Sequence, residues 1–321
     1  MPKPGVIPLR PLGVGEVLDG AITYIRSNPV VTLGLSAVVI TITQLIQVPI
    51  TILALGRLST IASPTAGIEQ LAGALSSTLG AALIGGFITF IAITVLSGLL
   101  VVVLGQAVLG RRMSLGEAWA ATRSRVLGLI GLSLLSSVVV VAVLLAGVVP
   151  IVLTLAADAP GGVVVLVGLV TMLGAFAAAA YIGVSWSMIT PAYVLEGIPA
   201  MATFRRSHRL VRTQWWRIFG ILLLGGVLTA VVSGILTVPF SLLGVGLSGS
   251  TPGADPFASP SVLATIIGAV GTIVASTVTA PFSAGITGLL YFDQRIRREA
   301  FDLELARAAQ FPAVPPAPPQ W

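Results

Sequence analysis

Long apolar runs separated by short polar segments dominate this sequence, and such runs recur six times. Each run exceeds the roughly 20 residues that a helix needs to cross the hydrocarbon core of a bilayer, and none contains a charged side chain. The pattern predicts an all-α fold, a polytopic membrane helical bundle, within one integral membrane domain of residues 1–309. The predicted transmembrane helices lie near residues 29–55, 78–106, 126–150, 163–191, 218–246 and 262–290.

The uncharged stretch between Glu69 and Arg111 is long enough to hold two short spans instead of one. The distribution of basic residues argues against that division, because six spans place every Lys and Arg except Arg57 on one side of the membrane. A seventh span would destroy this asymmetry. We therefore expect six spans, both chain ends in the cytoplasm, and an outer-face segment that lies on the membrane before residue 78.

Composition and charge agree with a membrane protein whose basic residues face lipid headgroups. Only 9% of the residues are charged, against roughly 25% in a typical soluble domain, and the formal net charge is +6. Basic residues beside span ends are each worth about 1 kcal/mol against anionic headgroups. We expect anionic membrane lipids as partners and leave any protein partner open. No basic domain stands clear of the membrane, so nucleic-acid binding is not expected.

The predominance of arginine over lysine indicates the kind of organism from which the protein comes. Arginine supplies every basic residue except Lys3, as a GC-rich coding bias would produce. Residues 1–28 lack the short apolar core and the cleavage site of a signal peptide, so the first span is expected to be retained. We predict a multi-pass protein of a bacterial plasma membrane.

Three polar segments resemble one another, and each leads directly into a pair of spans. They lie at residues 14–26, 114–125 and 196–212. We interpret them as amphipathic cytoplasmic helices, so that the bundle consists of three repeated units of one such helix and a helical hairpin. These helices either pack as elbows under the bundle or form a ring that binds headgroups or a partner, and both interpretations stay open.

The local pattern of each segment predicts a helix. Apolar residues recur at i, i+3, i+4 and i+7 from Val14 onward. Ser114 and Glu117 have the spacing of a capping box. Met201 and Phe204 belong to an apolar face that arginines surround.

The chain after the sixth span reads as a continuing charged helix, in which Asp293 and Arg297 form a favourable i, i+4 pair. Residues 310–321 are proline-rich and are expected to be extended and disordered. The charged side chains of the polar segments are the candidate contacts for lipid headgroups or a partner. They are Glu16, Asp19, Arg26, Glu117, Arg123, Arg205, Arg206, Arg209, Asp293, Arg295 and Arg298.

Prolines and glutamines are the unusual residues within the spans. Five spans carry a proline in their second half, which either shapes the packing or provides a hinge. Gln44, Gln47 and Gln106 either line a path or form interhelical hydrogen bonds. No ionisable side chain lies at membrane depth, which argues against a proton-coupled pump.

Catalytic constellations are mostly absent from the sequence. The chain has no cysteine, and its single histidine, His208, has no carboxylate close in sequence. The acidic residues predicted on the outer face sit in separate loops, which does not favour a metal cluster. We expect no enzyme activity and no cofactor or metal.

Motifs at the two ends of the membrane domain carry a family resemblance. The first comprises residues 11–20 (PLGVGEVLDG) and 24–29 (YIRSNP). The second begins at Tyr291 and contains Asp293, and it continues through residues 295–305. Together with the hairpin layout, they make the chain resemble, up to about residue 309, the membrane domain of glycerophosphoryl diester phosphodiesterase. The phosphodiesterase activity of that family belongs to a separate soluble barrel, so the resemblance implies a stand-alone membrane domain without that chemistry.

Two functional hypotheses from different classes follow. The leading one is a non-catalytic membrane protein, accessory or scaffold in an envelope or lipid-related process, that acts through its basic cytoplasmic ring. The alternative is a passive transporter or lipid-translocating pathway. A continuous polar or lipid-sized cavity would favour the alternative, and a solid apolar centre would exclude it.

Overall fold

The protein folds as an all-α bundle, as the sequence pattern predicts. The computed structural model describes residues 6, 10–59, 68–247 and 261–299, and within these ranges the regular elements are all helical. Six helices are long and apolar enough to cross a membrane, so the chain is a multi-pass membrane protein. The helices are α1 (Val14–Ser27), α2 (Pro29–Ser59), α3 (Ile68–Val108), α4 (Leu115–Thr122), α5 (Val126–Ala156), α6 (Gly161–Ser185), α7 (Ile189–Pro191), α8 (Ala200–Val211), α9 (Trp215–Leu247) and α10 (Val262–Glu299).

The long uncharged stretch before Arg111 forms one helix rather than two. α3 contains 41 residues and is therefore about 60 Å long. Residues 68–77 belong to this helix and not to the separate surface segment that we expected before residue 78, and residues 60–67 of that segment lie outside the described residues. Continuous backbone hydrogen bonding explains the difference, because no proline or loop interrupts the chain there.

Three hairpins, α2–α3, α5–α6 and α9–α10, form the bundle, and α10 lies at its centre. α10 packs against α9, α2, α1 and α3. From Ala284 to Gln294 every residue of α10 except Thr287 is buried. The α5–α6 hairpin differs: most of its Leu and Val side chains are exposed, as expected for surfaces that face lipid tails.

Small residues allow the helices to approach closely. A Cβ at Gly285 would stand 3.1 Å from the Cβ of Ala21, so α1 lies directly on α10 there. A Cβ at Gly147 would stand 2.6 Å from the Cβ of Ala175, which brings α5 against α6. Backbone approach at small residues is the usual way in which membrane helices gain packing energy, since burial from water contributes nothing within lipid.

The short helices α1 and α8 turn one face toward the bundle. Val17, Ala21 and Tyr24 of α1 are buried, and the Tyr24 hydroxyl donates to the carbonyl of Leu100 on α3 at 2.9 Å. In α8 the buried face contains Phe204, whereas Met201, expected beside it, is 64% exposed. The apolar face predicted for α8 was thus partly wrong, because contact with the neighbouring helices determines which residues of α8 are buried.

The helix ends follow the local chemistry of the sequence. The predicted capping box of α4 is confirmed: the Ser114 amide donates to Glu117 Oε2 at 2.7 Å, and the Glu117 amide donates to Ser114 Oγ at 3.3 Å. Pro191 ends α7, and a π-helical turn, Ala192–Glu196, follows it. Gly197 ends that turn with φ of 67°, a left-handed conformation that favours glycine.

Gly147→Val is expected to destabilise the α5–α6 hairpin. The added side chain would collide with Ala175 and with the backbone carbonyl of Thr171, whose oxygen lies 3.3 Å from where the new Cβ would stand. Overpacking of this kind costs about 1–3 kcal/mol. Gly131→Val on the same helix is the control, because its Cβ meets no atom within 4 Å. Thermal unfolding in detergent should show a lower midpoint for Gly147→Val alone, and equal midpoints for the two variants would contradict this packing.

Candidate functional site

A buried carboxylate, Asp293 on α10, organises one end of the bundle. Its side chain is 0% exposed and accepts hydrogen bonds from the Leu12 amide at 2.8 Å, Arg217 Nη1 at 2.6 Å and Arg297 Nε at 2.9 Å. Both guanidiniums also donate to the Leu12 carbonyl, at 2.6 and 2.9 Å. We call these four residues the Asp293 cluster. It joins the chain before α1 to the beginning of α9 and the end of α10.

The chemistry of the Asp293 cluster explains why a charge can be buried at this position. A carboxylate removed from water is strongly destabilised unless its lone pairs are satisfied and its charge is balanced. Here two guanidiniums and one backbone amide meet those needs. The i, i+4 pair of Asp293 and Arg297 agrees with the sequence prediction, but Arg217 reaches the carboxylate from 76 positions away.

A second ion-pair network joins α8, α10 and the π-helical turn. Arg206 donates to Glu196 through Nε and Nη2, at 2.9 and 2.8 Å, and to Glu299 Oε2 at 2.7 Å. Arg295 lies 3.1 Å from Glu299, and the Tyr291 hydroxyl donates to Glu196. The bond to Glu299 is the largest cause that raises the pKa of Arg206; burial lowers it, and Glu196 adds to the rise. Arg206 is therefore held charged in a structural role.

Further polar contacts connect the remaining segments to this end. Arg125 donates to the carbonyl of Val194, and Arg298 Nη1 donates to the carbonyl of Arg209 at 2.5 Å. Asn28 Nδ2 donates to the carbonyl of Met113 at 2.9 Å. We call the segments joined in this way, 10–28, 109–126, 192–217 and 291–299, the basic end of the bundle.

Six of the eleven predicted contact residues are occupied by structural interactions. Asp293, Arg206 and Arg295 belong to the ion-pair networks, and Arg298 holds a helix carbonyl. Glu16 bonds the Gly13 amide at 2.7 Å and pairs with Arg10, and Glu117 caps α4. The backbone hydrogen bond from Ser114 lowers the pKa of Glu117. Sequence reasoning missed Arg217, Glu196 and Glu299 as their partners, because long-range pairing leaves no local signal.

The other five predicted residues lie exposed at the basic end: Asp19, Arg26, Arg123, Arg205 and Arg209. Arg111 and Arg112, in the loop before α4, and Arg212, directly after α8, add to this exposed positive charge. We define the exposed arginine group as the seven exposed arginines whose side chains form neither an ion pair nor a hydrogen bond in the described ranges. They are Arg26, Arg111, Arg112, Arg123, Arg205, Arg209 and Arg212.

Aromatic side chains mark the level at which the basic end meets lipid. Tyr181 stacks on Trp215 at 5.7 Å between ring centroids, and Trp215 stacks on Phe219 at 5.2 Å. Trp216 beside them is exposed. These rings and Arg212 line an open groove of about 840 Å³ between α6 and α9. Trp and Tyr are typical of the membrane–water interface, so we expect the beginning of α9 to lie at headgroup level.

A cleft lined by hydroxyl groups enters the bundle beside α3. It consists of two cavities, of about 320 and 300 Å³, that share Ile93 and Ser97 as lining residues. We call the two together the hydroxyl cleft. Its hydroxyl-bearing residues are Thr94, Ser97, Ser133, Ser136, Ser137, Thr190, Thr229, Ser276, Thr279, Ser283 and Thr287.

The glutamine path considered from the sequence is a different feature. Gln47 donates to the Gly85 carbonyl at 3.0 Å and to the Thr89 hydroxyl, so it joins α2 to α3. The interhelical interpretation holds for this glutamine. In the described part of the chain, no three His, Asp or Glu side chains come together in a way that would hold a metal ion.

Asp293→Asn is expected to destabilise the whole basic end. It leaves Arg217 and Arg297 partly buried without their carboxylate, and breaking one side of such a pair costs about 3 kcal/mol, the lower end of the usual range, since both guanidiniums are partly exposed. Asp19→Asn, at an exposed position, is the matched control and should change little. Thermal unfolding gives the global effect, and hydrogen exchange at the Leu12 amide gives the local one. Unchanged protection of that amide would show that Asp293 does not hold it.

The comparisons with known proteins agree with the extent of this assembly. No curated protein and no solved structure matches the chain. A family match begins at Leu12 and ends at Gln294, so it includes Leu12, Arg217 and Asp293 of the Asp293 cluster. Since residues 12–294 match the family described as "Domain of unknown function (DUF7847)", the chain belongs to that family.

Proposed function

We propose that this protein is a non-catalytic accessory or scaffold protein of an envelope or lipid-related process, and that it acts through the basic end. One observation carries the proposal: partly buried ion pairs join the basic end into one unit, while the seven arginines of the exposed arginine group remain unpaired on it. The unit is a preformed positive surface at headgroup level. Its natural ligands are anionic lipid headgroups or an acidic face of a partner.

Charge compensation within the basic end determines which arginines are available. Asp293 balances Arg217 and Arg297, and Glu196 and Glu299 balance Arg206 and Arg295. The exposed arginine group has no such carboxylates and faces outward. Each of its charges contributes about 1 kcal/mol of attraction to an anionic surface, an effect that salt screens.

Membrane orientation and source belong to the same proposal. The positive-inside rule orients the basic end, and with it both chain ends, toward the cytoplasm. A bacterial plasma membrane follows from the arginine-rich composition. The resemblance to the membrane domain of glycerophosphoryl diester phosphodiesterase supports an envelope role. Leu12 and Asp293, from its two terminal motifs, bond to each other, so we interpret these motifs as structural rather than catalytic.

Removing exposed positive charge should weaken lipid retention without unfolding the protein. We expect a combined Arg26→Gln, Arg123→Gln, Arg205→Gln and Arg209→Gln variant to release phosphatidylglycerol more readily in native mass spectrometry. The thermal midpoint should not change, because none of these side chains enters an ion pair with a described carboxylate.

The matched control replaces the same four arginines by lysine, which keeps the charge. This variant should retain phosphatidylglycerol as the natural protein does. Equal retention by the glutamine variant and the natural protein would overturn the proposal that the basic end acts as a preformed positive surface.

The second candidate function is a passive transporter or lipid-translocating pathway. The hydroxyl cleft favours it, because two open cavities lined by hydroxyl groups lie beside α3. A pathway of this kind would move headgroups across the bilayer without coupling to ions, in keeping with spans that lack ionisable side chains at membrane depth.

Passage is tested by following the flipping of fluorescent lipids in proteoliposomes. A pathway through the cleft predicts faster flipping with protein than without it, and Ser97→Trp should abolish the increase by filling the shared wall of the two cavities. Leu127→Trp is the control, since this side chain is exposed outside the cleft. Flipping equal to that of empty vesicles would exclude the second candidate.

A further inference from the structure

Many hydroxyl side chains in the long helices bond to their own backbone, whereas several in the hydroxyl cleft, like Thr78 and Ser185 elsewhere, do not. Thr43, Thr171 and Thr237, outside the cleft, donate to the carbonyl four residues earlier at 2.8–2.9 Å. This is the usual arrangement for a hydroxyl in a membrane helix. Seven cleft hydroxyls have no hydrogen-bond partner in the described part of the chain. They are Thr94, Ser97, Ser133, Ser136, Ser137, Thr190 and Ser276.

Thr94 is one unpartnered hydroxyl residue that does not simply face lipid. Its residue is only 7% exposed, and it lines the cavity bounded by α3, α5 and α7. Trp186 lines the same cavity, and its indole N–H likewise has no partner in the described chain. A buried hydroxyl or indole N–H ordinarily finds a hydrogen bond, because leaving one unmade is costly.

The depth of the cleft in the membrane makes an unmade hydrogen bond costly there. Ser97 lies 11 residues before the end of α3, or roughly 16 Å along the helix, which is about half of the hydrocarbon thickness. Lipid tails offer no hydrogen bonds at that depth. Water or a polar ligand in the cleft would therefore give the seven hydroxyls the partner that they lack in the described chain.

The lining selects the class of ligand. None of the described residues that line either cavity is charged, so a phosphate or an amine would find no counter-charge there. Hydroxyls both donate and accept, which matches a ligand that is itself rich in hydroxyls. The remaining wall is apolar, with Leu96 and Leu100 on one side and Phe90 on the other, as an amphiphile would need.

The cleft is also open to the membrane. Ile93, which stands between the two cavities, is 53% exposed. Along α10, the hydroxyl residues Ser276, Thr279, Ser283 and Thr287 follow one face toward the basic end. A lipid could thus enter from the side while its acyl chains remain in the bilayer.

We propose that the hydroxyl cleft binds the uncharged, polyhydroxylated headgroup of a membrane lipid, of which a glycosyl diacylglycerol is the representative class. The inference rests on the cleft alone and concerns binding, not passage. It is also independent of the proposal that the basic end acts as a preformed positive surface. The exposed arginine group lies outside the cleft, so the two proposals can fail separately.

The chain contains no cysteine, so in a thiol-accessibility test only the introduced cysteine can react. Ser97→Cys, Ser136→Cys and Ser276→Cys are made singly and reconstituted in phosphatidylethanolamine vesicles, with Leu173→Cys, exposed on α6 outside the cleft, as the control. A charged thiosulfonate reagent should label the three cleft positions and not the control, since thiolates form only where water reaches. Glucosyl diacylglycerol in the vesicles should slow the labelling, and phosphatidylglycerol should not.

Absence of labelling at the three cleft positions would show a dry cleft and overturn the inference. Labelling that glucosyl diacylglycerol leaves unchanged, or that phosphatidylglycerol slows equally, would overturn the assignment of the headgroup.

A hydroxyl-deletion variant tests the same site without cysteines. Thr94→Val, Ser97→Ala and Ser276→Ala combined should weaken the binding of a photoactivatable glucosyl diacylglycerol at least about tenfold, as the loss of several hydrogen bonds predicts. The matched control combines Thr43→Val, Thr171→Val and Thr237→Val, which remove hydroxyls bonded to their own helices. Equal crosslinking of the two variants would refute the site.

Discussion

The buried carboxylate of Asp293 determines how the ends of this chain meet. Its two guanidinium partners come from α9 and α10, and its backbone partner, the Leu12 amide, comes from the segment before α1. A buried charge tolerates no missing partner, so α9, α10 and the first segment must be present together. The central position of α10 follows, because its buried end serves as the surface against which the short helices are arranged.

The same constraint separates structural from available charge. Arg206, Arg217, Arg295 and Arg297 are held by carboxylates, whereas the exposed arginine group is not. Substitution of the first kind is expected to perturb the fold, and substitution of the second kind is expected to perturb only lipid or partner binding. The arginines of one segment thus fall into two sets, those held by carboxylates and those left exposed. Arg205 and Arg206 are adjacent in sequence but belong to different sets.

The bundle core shows a parallel division among its uncharged polar groups. Hydroxyls that bond to their own helix, such as Thr171, need no further partner, whereas the seven unpartnered hydroxyls of the hydroxyl cleft do. A membrane protein without ionisable side chains at membrane depth can still offer a polar site, because many weak donors and acceptors facing one space act together. The basic end and the cleft would thereby recognise different parts of the lipid population.

The sequence by itself determined the helical class, the number of spans and the asymmetry of charge, because span length and flanking arginines are local properties of the chain. It also predicted the α4 cap and the pair of Asp293 with Arg297. Only the tertiary structure decided which arginine reaches Asp293 from α9 and which hydroxyls lack partners. Those outcomes depend on the rotation and contact of helices far apart in sequence, for which local spacing carries no signal.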